Sequence, residues 1–306
     1  MDEVGIIGLG RAGTVMAYLL AEKGYRVKVV RSKSMPGYEA QVKEHRFPVR
    51  QLEKIVREVK VLLITTPDRV IGEIVEKLVK LDLSAVKGVL HLSGNHPAAI
   101  LKPLQAKGLS IGSLHPLQSL AGLEQGLLNL TGSTFTFEGD TELLPWVTAL
   151  VERLECRLAI APASFNKSLY HGGASIASNF LVVLAKMGLD CLVKAGLSPG
   201  EARQALIPLM QGTLNNLGRL PPEKALTGPI VRNDLVTINS HLEELKQLPH
   251  LLPAYQSLGQ LTATLAMEAG HLEKMEYRQI VEILENGGFN NGKSDSGHLE
   301  GEKETQ

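Results

Sequence analysis

The sequence predicts an α/β domain built on a doubly wound parallel sheet, followed by an all-helical domain. Short apolar runs alternate with amphipathic helical patterns through about the first 160 residues, which is typical of a parallel sheet covered by helices on both faces. Beyond Pro162 helical spacing takes over from strand patterns. We place the α/β domain at residues 1–162 and the helical domain at 163–285, and we expect the polar tail 286–306 to be disordered.

Each element follows from its hydrophobic period. Apolar runs predict strands at 4–7, 25–30, 61–64, 89–92, 109–114, 134–137 and 157–160. Spacings of three and four predict helices over 11–23, 70–79 and 141–155. In the second domain one helix spans about 163–195, and Ser198 with Glu201 forms a capping box that starts the next. Further helical patterns begin near Asp234, Pro253 and Leu272.

Composition excludes several classes of protein. The 32 Lys and Arg balance the 32 Asp and Glu, so there is no basic excess for nucleic acid. No uninterrupted apolar run approaches the roughly 20 residues of a membrane span, and the longest good candidate, 180–185, has six. The acidic start does not resemble a signal peptide, and Cys156 and Cys191 lack metal-ligand spacing. We therefore expect a cytoplasmic protein that binds no metal, nucleic acid or membrane.

A glycine motif follows the first predicted strand and opens the first helix. In that context Gly8 permits a tight turn, Gly10 lets the backbone approach a pyrophosphate, and Gly13 lets the helix pack closely on the strand. The predicted dinucleotide-binding residues are Gly8, Leu9, Gly10, Arg11, Ala12 and Gly13. The alternative is a glycine-rich turn with no ligand.

The end of the second strand indicates which dinucleotide would bind. NAD sites usually carry Asp or Glu there, to bind the ribose hydroxyls. This chain has Arg31 and Ser32 instead, and a cation with a hydroxyl suits a 2′-phosphate. We predict NADP in preference to NAD, although Arg31 as a solvated surface residue is the alternative.

Polar residues follow the next strands along the chain. Because the carboxyl ends of parallel strands line the ligand crevice, the predicted cofactor contacts include Thr65, Thr66, Pro67 and Ser93. The alternative for the segment after the third strand is a helix cap. His115 lies where the fifth strand becomes a loop, and it could donate a proton to a substrate carbonyl, although a lone histidine is more often packed or at the surface.

The helical domain offers two further candidates. Its first helix carries a polar stripe at spacings of four, whose composition suits a half-buried cleft wall better than a solvated face. From this stripe and the strand end, the predicted catalytic residues are His115, Lys167, His171 and Asn179, with Ser175 binding substrate. The segment 227–234 contains a Gly-Pro turn, and Arg232 could bind a substrate anion. Asp234 is either a second substrate ligand or simply a helix N-cap.

Together these segments resemble a Rossmann-like family whose C-terminal half is the domain of unknown function 2520. The family is related to pyrroline-5-carboxylate reductase, ketopantoate reductase and the deazaflavin-dependent NADP oxidoreductases. The matching segments are 8–13, 66–68, 113–118, Lys167 with 170–171, 179–180 and 227–234. Asn233 stands where we expect Gly, and Asn tolerates the left-handed conformation best among the alternatives.

The resemblance covers about residues 4–285. It implies a Rossmann domain followed by a helical domain like that of 6-phosphogluconate dehydrogenase, a homodimer built through the helical domain, and a site between the domains. We therefore expect an NADP-dependent oxidoreductase that acts on a small carbonyl or imine, polarised by His115 or Lys167. The alternative is an NADP-binding sensor or assembly protein without turnover.

Overall fold

The computed structural model describes residues 2–30 and 39–289, and the chain divides into two compact units between Leu181 and Val182. The sequence places the boundary about 20 residues earlier, at 162/163. The difference arises because the helix that begins at Lys167 is hydrogen-bonded to the sheet of the first unit. Residues 290–306, which hold most of the tail expected to be disordered, lie outside the described residues.

A mostly parallel sheet forms the centre of the first unit. Its strands, in spatial order, are β2 (Arg26–Val30), β1 (Glu3–Ile7), β5 (Val61–Ile64), β6 (Gly88–His91), β7 (Ser110–Pro116), β8 (Thr134–Gly139) and β9 (Arg157–Ile160). All seven predicted strands are present. The sheet is not wholly parallel, because β8 runs antiparallel to β7. Periodicity does not fix strand direction, and an antiparallel strand towards the edge of such a sheet is common.

Helices cover both faces of this sheet. They are α1 (Arg11–Glu22), α2 (Leu52–Glu58), α3 (Asp68–Val79), α4 (Lys102–Gln105), α5 (Leu123–Leu130) and α6 (Leu144–Arg153), and α7 (Lys167–Ser175) follows β9. Side chains alternate between the faces of a strand, so the neighbours Ile6 and Ile7 belong to two different cores. Val15 of α1 packs in the first core and Ile71 of α3 in the second. This arrangement confirms the doubly wound prediction.

The sequence did not predict a hairpin beside the sheet. Strands β3 (Glu39–Val42) and β4 (His45–Pro48) pair with each other, and Lys43 in the turn has a φ of 52°. Each strand has only four residues and carries charged side chains, so neither shows the apolar run of a buried strand.

The second unit is entirely helical within its described residues. Its helices are α8 (Leu181–Lys194, whose first residue closes the first unit), α9 (Pro199–Leu217), α10 (Pro222–Ala225), α11 (Leu235–Leu245), α12 (Leu252–Glu268) and α13 (Lys274–Asn286). The predicted capping box is present, since Ser198 and Glu201 each bond the other's backbone N–H. Ile238, Ala263 and Ile280 bring α11, α12 and α13 into one core.

The helical stretch from Lys167 to Lys194 is long and apolar enough to cross a membrane by length and composition alone, with a mean hydropathy of 1.7 over its most apolar window. None of that window is buried within the chain. Uninterrupted apolar runs did not reveal it, because small and polar residues interrupt the sequence. A helix that packs against another protein surface meets the same criterion, so the absence of a membrane span stays a prediction.

Candidate functional site

The glycine turn after β1 has the geometry that its spacing predicts. Gly8 has a φ of +106°, which favours glycine, and its N–H donates to the carbonyl of Val30 over 2.8 Å. A Cβ on Gly13 would lie 2.0 Å from the Gly8 carbonyl oxygen, so this position excludes any side chain. A Cβ on Gly10 would meet nothing within 4 Å. The turn is therefore closely packed at Gly13, whereas the space next to Gly10 is open.

Helix α1 begins directly at this opening. Gly10 is its N-cap residue and Arg11, which is exposed, its first. The first N–H groups of a helix have no partner within it and carry partial positive charge. Leu9 and Ala12 pack partly against the first core. The open face of Gly10 and the free end of a twelve-residue helix fit a phosphate group, as a dinucleotide turn requires.

The threonines after β5 support the glycine turn. The Thr65 hydroxyl donates to the Gly8 carbonyl over 2.5 Å, so its hydrogen helps to hold the turn. Thr66 packs its methyl group towards Gly8, and its buried hydroxyl has no partner among the described residues. Pro67 is the N-cap residue of α3, which begins at Asp68. The segment therefore stands at the helix start, as the helix-cap alternative expects, but no side chain caps the helix by a hydrogen bond.

A compact turn follows β6. The buried Ser93 hydroxyl donates to Asp68 Oδ2 over 2.9 Å and accepts the backbone N–H groups of Asn95 and His96. Ser93 thus fixes the backbone around Gly94. A Cβ on Gly94 would lie 2.5 Å from His171 Cδ2 and 2.7 Å from His115 Nε2. Only glycine permits these two rings to approach the turn so closely.

Polar side chains occupy one face of β7 and β8, beneath α7. Ser113 and His115 are two residues apart on β7, and their cross-strand partners on β8 are Glu138 and Thr136. Because side chains alternate along a strand, these four share one face. Helix α7 covers it with Lys167, Tyr170 and His171, at the i, i+3 and i+4 spacing of one helix face. Sequence reasoning missed Glu138 and Thr136, although a charged residue in an apolar strand pattern is a usable signal.

Lys167 is held on this face by Ser113 and Glu138. Its side chain is 5% exposed, and its Nζ donates to Ser113 Oγ and lies 3.6 Å from Glu138 Oε2. Glu138 Oε1 in turn accepts the N–H of Ala98 over 3.1 Å. Burial lowers the pKa of Lys167 to about 8, and the Glu138 charge only partly offsets that effect. Lys167 therefore carries a proton at neutral pH that it can release more easily than an ordinary lysine.

His115 is held by Tyr170. Its Nδ1 lies 2.9 Å from the Tyr170 hydroxyl, which itself donates to Thr136 Oγ1 over 3.0 Å. Burial and the Lys167 charge lower the pKa of His115 to about 4, so the ring is neutral at physiological pH. The ring of His171 crosses that of His115 with centroids 6.2 Å apart. The structure thus brings together three of the four predicted catalytic residues.

The remaining stripe residues lie farther along the same helix. Ser175 is half-buried at the end of α7, and Asn179 is exposed. The prediction of a polar stripe at spacings of four assumes a regular α-helix, whereas residues Ile176–Phe180 form a π-helical turn. Such a turn has more residues than an α-helical one, so Asn179 is rotated away from the line that a spacing of four predicts.

The other predicted substrate ligands belong to the second unit. Asp234 is the N-cap of α11, and its carboxylate accepts from the backbone N–H and hydroxyl of Thr237, so the helix-cap alternative describes its contacts. Arg232 is exposed. Asn233 has a φ of 50°, which confirms the left-handed conformation expected there. Arg31 and Ser32 lie outside the described residues.

One group has metal-binding separation that sequence spacing did not indicate. Glu22, Glu44 and His45 place ligand atoms within 4.8 Å of one another. Each already has a partner, since His45 pairs with Glu22 at 2.6 Å and Glu44 accepts from Tyr18. These contacts describe a surface hydrogen-bond and ion-pair cluster.

Two family models match the chain. One, described as a Rossmann-like domain, matches residues 2–116, and the other, the domain of unknown function DUF2520, matches residues 133–262. The chain combines a Rossmann-like domain with DUF2520. This confirms the family resemblance. No curated protein matches the chain.

Solved structures share the fold at low identity. A Thermotoga maritima protein is 22% identical, with 93% of this chain and 97% of that chain covered and a TM-score of 0.59. A proposed NADP oxidoreductase from Bacteroides fragilis is 19% identical, with 92% and 98% covered and a TM-score of 0.62. The Plasmodium falciparum pyrroline carboxylate reductase with NADP bound is 12% identical, with 92% and 98% covered and a TM-score of 0.57. The chain therefore has the fold of NAD(P)-dependent oxidoreductases.

Proposed function

We propose that this chain is an NADP-dependent oxidoreductase that acts on a small carbonyl or imine. One observation carries the proposal: a continuous series of contacts along the carboxyl ends of four neighbouring strands. Thr65 bonds the glycine turn after β1, Asp68 bonds Ser93 after β6, and the Ser113 hydroxyl on β7 donates to the Ser93 carbonyl over 3.4 Å. The glycine turn, which fits a phosphate group, and the polar cluster beneath α7 are thus connected along the carboxyl ends of the strands, where open α/β sheets bind ligands.

The cofactor would contribute hydride transfer when bound. The glycine turn and the first N–H groups of α1 would hold its phosphates. NADP is favoured over NAD because Arg31 stands where NAD sites carry a carboxylate, and because the Plasmodium neighbour holds NADP. Arg31→Asp should shift preference towards NADH. Unchanged relative affinities for the two nucleotides, measured by calorimetry, would contradict this assignment.

The chain's own contribution is to position the substrate and supply a proton. Lys167 is suited to donate the proton, because its ammonium group is buried, is oriented by Ser113 and Glu138, and has a pKa lowered to about 8. His115 is unsuited to donate a proton at neutral pH, because burial holds its pKa at about 4. We therefore assign proton donation to Lys167 and substrate orientation to His115.

The test is NADPH oxidation by the purified chain against a panel of keto acids, ketones and cyclic imines. Lys167→Met should lower kcat by about 100-fold or more, the usual contribution of general acid catalysis. Lys186→Met is the matched control, because Lys186 is 70% exposed further along the same helical stretch and pairs with Asp190. Equal activity of both variants would remove Lys167 from the mechanism.

The alternative without turnover keeps the same glycine turn. A sensor or assembly protein needs NADP binding but no proton donor. NADPH binding with no oxidation across the panel would favour it over the enzyme. The low pKa of the buried Lys167 favours the enzyme, because perturbed titratable groups concentrate at catalytic sites. That the substrate lies between the two domains, and that the protein is cytoplasmic, stay predictions.

We also propose a homodimer through the helical domain. Several large apolar side chains of the second unit are exposed, among them Val182 at 71%, Leu209 at 67% and Leu261 at 67%. Exposed apolar surface of this extent marks an interaction surface. Val182→Glu should convert a dimer into a monomer in sedimentation analysis. A monomeric parent chain would contradict the dimer. Recovery of the chain in the membrane fraction would instead support insertion of the apolar helical stretch Lys167–Lys194 into a membrane.

A further inference from the structure

We propose that His115 presents an unprotonated Nε2 to the substrate, and that the substrate is consequently an imine whose reacting nitrogen carries a hydrogen, in preference to a ketone. This inference rests on the proposed function and narrows it, because the proposed function leaves carbonyl and imine open. The observation behind it is the position of the Tyr170 hydroxyl, which donates to Thr136 Oγ1 and lies 2.9 Å from Nδ1 of His115.

The tautomer of His115 follows from counting protons. Tyr170 has one hydroxyl hydrogen, and it donates that hydrogen to Thr136 Oγ1 over 3.0 Å. The 2.9 Å contact between Tyr170 and His115 Nδ1 then requires a hydrogen on Nδ1. A neutral imidazole carries only one ring hydrogen, and the buried ring of His115 is neutral because its pKa is about 4. Nε2 therefore bears a lone pair and acts as an acceptor.

The Nε2 atom faces the turn at Gly94, on the side where the ring of His171 also points. Among the described residues no group hydrogen-bonds this nitrogen, and it is not one of the fully buried polar atoms without a partner. It is thus available to a ligand. A side chain at position 94 would cover this nitrogen, because its Cβ would lie 2.7 Å from Nε2, whereas glycine leaves the nitrogen uncovered.

Lys167 provides the complementary donor on the same face. Its ammonium group has three N–H bonds. One of them donates to Ser113, whereas Glu138 Oε2 lies 3.6 Å away, beyond hydrogen-bond distance. At least one N–H bond is thus without a hydrogen-bond partner among the described residues. Ser113 and His115 lie two residues apart on β7, so the lysine donor held at Ser113 and the histidine acceptor belong to the same face of the sheet.

This pair distinguishes the candidate substrates. The nitrogen of a C=N–H imine has a hydrogen for Nε2 and a lone pair for Lys167. A ketone oxygen has only lone pairs, so one of them would face the Nε2 lone pair, which leaves a polar contact unpaired and costs affinity. In the balanced step, a hydride from the reduced nicotinamide forms a C–H bond at the imine carbon while the C=N π bond breaks. Lys167 gives a proton to the nitrogen, the product is an amine, and Lys167 regains its proton from water.

The first experiment reads the tautomer directly, without cofactor or substrate. Two-bond nitrogen–proton correlation spectra of the chain labelled with ¹⁵N-histidine, assigned with His115→Gln, should show a protonated Nδ1 and an unprotonated Nε2 at pH 7.5. Tyr170→Phe should shift the ring towards a mixture of tautomers. Tyr255→Phe is the matched control, since Tyr255 contacts His241 Nδ1 at 2.8 Å in the second unit. A protonated Nε2 in the parent chain overturns the proposal, and a Tyr170→Phe spectrum like that of the parent overturns the positioning role of Tyr170.

The second experiment tests the substrate class. NADPH oxidation is measured with each ketone and aldehyde of a panel in ammonium chloride, where imines form, and in sodium chloride at equal ionic strength. We expect at least about tenfold faster oxidation in ammonium. Equal rates in the two salts overturn the imine assignment while leaving the oxidoreductase in place. If neither salt supports oxidation, the proposed function fails together with the substrate class, and only the tautomer result stands.

Discussion

Two substitutions in the glycine motif should separate folding from cofactor binding. A Cβ on Gly13 would lie 2.0 Å from the Gly8 carbonyl oxygen, 1 Å inside the 3.0 Å that Cβ atoms keep. The nearest obstacle is the backbone of Gly8, which cannot rotate away, and Thr65 Oγ1 lies 2.6 Å from the same Cβ position. Gly13→Ala should therefore lower the free energy of unfolding by about 3 kcal/mol, the upper part of the range for overpacking.

Gly10→Ala is the contrasting change. Its Cβ would enter open space, and the φ of −78° at Gly10 suits alanine. Folding should change by less than about 1 kcal/mol, the difference between Gly and Ala at an N-cap. The same Cβ would occupy the space where the turn must approach a pyrophosphate. We expect NADPH affinity to fall about tenfold or more, which corresponds to about 1.4 kcal/mol.

Thermal unfolding and calorimetric titration with NADPH measure both effects. For a unit of this size 3 kcal/mol corresponds to a Tm decrease of about 6–12 °C. Gly72→Ala is the control, because Gly72 lies within α3 with nothing within 4 Å of its Cβ position, and it should retain both stability and binding. A Gly10→Ala chain that binds NADPH with the parent Kd would refute the assignment of this turn to the cofactor.

Three further predictions follow from the hydrogen-bonded turns and buried bases. The rate of substrate reduction should fall above about pH 8, because Lys167 loses its proton there; a rate that stays constant to pH 10 would exclude Lys167 as the donor. His91 is fully buried and burial lowers its pKa to about 4, so the unfolded chain binds protons more readily below pH 6.5. His91 should contribute about 3 kcal/mol to the loss of stability from pH 7 to pH 4, in addition to the contribution of His115, whose pKa is lowered to the same value. Urea denaturation at the two pH values measures this loss, and His91→Asn should reduce it. Ser93→Ala should cost about 1–2 kcal/mol in urea denaturation, because it leaves two backbone N–H groups without their acceptor, whereas Asp68→Ala should cost less because Asp68 is exposed.

The sequence predicts those features that depend on local period and spacing. The seven strands, the glycine turn and the capping box at Ser198 are properties of neighbouring residues, so they can be derived without the fold. The direction of β8 and the pairing of Glu138 with Ser113 depend on residues about 25 positions apart, which periodicity does not report. The π-helical turn at Ile176–Phe180 was missed for a related reason, because a helix-wheel argument assumes one constant twist.

The site itself was half predictable. Lys167 and His115 could be selected because each stands at a helix start or a strand end and is chemically capable. Thr65 and Ser93 were expected to face a cofactor, but their hydroxyls are used by the Gly8 carbonyl and by Asp68. A sequence shows which residue can form a hydrogen bond, whereas the partner that takes the bond is a property of the packed chain.

The polar cluster beneath α7 draws on both matched segments of the chain. Ser113 and His115 fall within residues 2–116, whereas Thr136, Glu138, Lys167 and Tyr170 fall within residues 133–262. Ser113 pairs with Glu138 and His115 with Thr136 across β7 and β8, so the two segments meet within the cluster. A truncation made at the border of the segments would thus divide the cluster and separate Ser113 from Lys167 and His115 from Tyr170. The cluster is therefore a property of the two segments together, and neither segment alone contains the residues that form it.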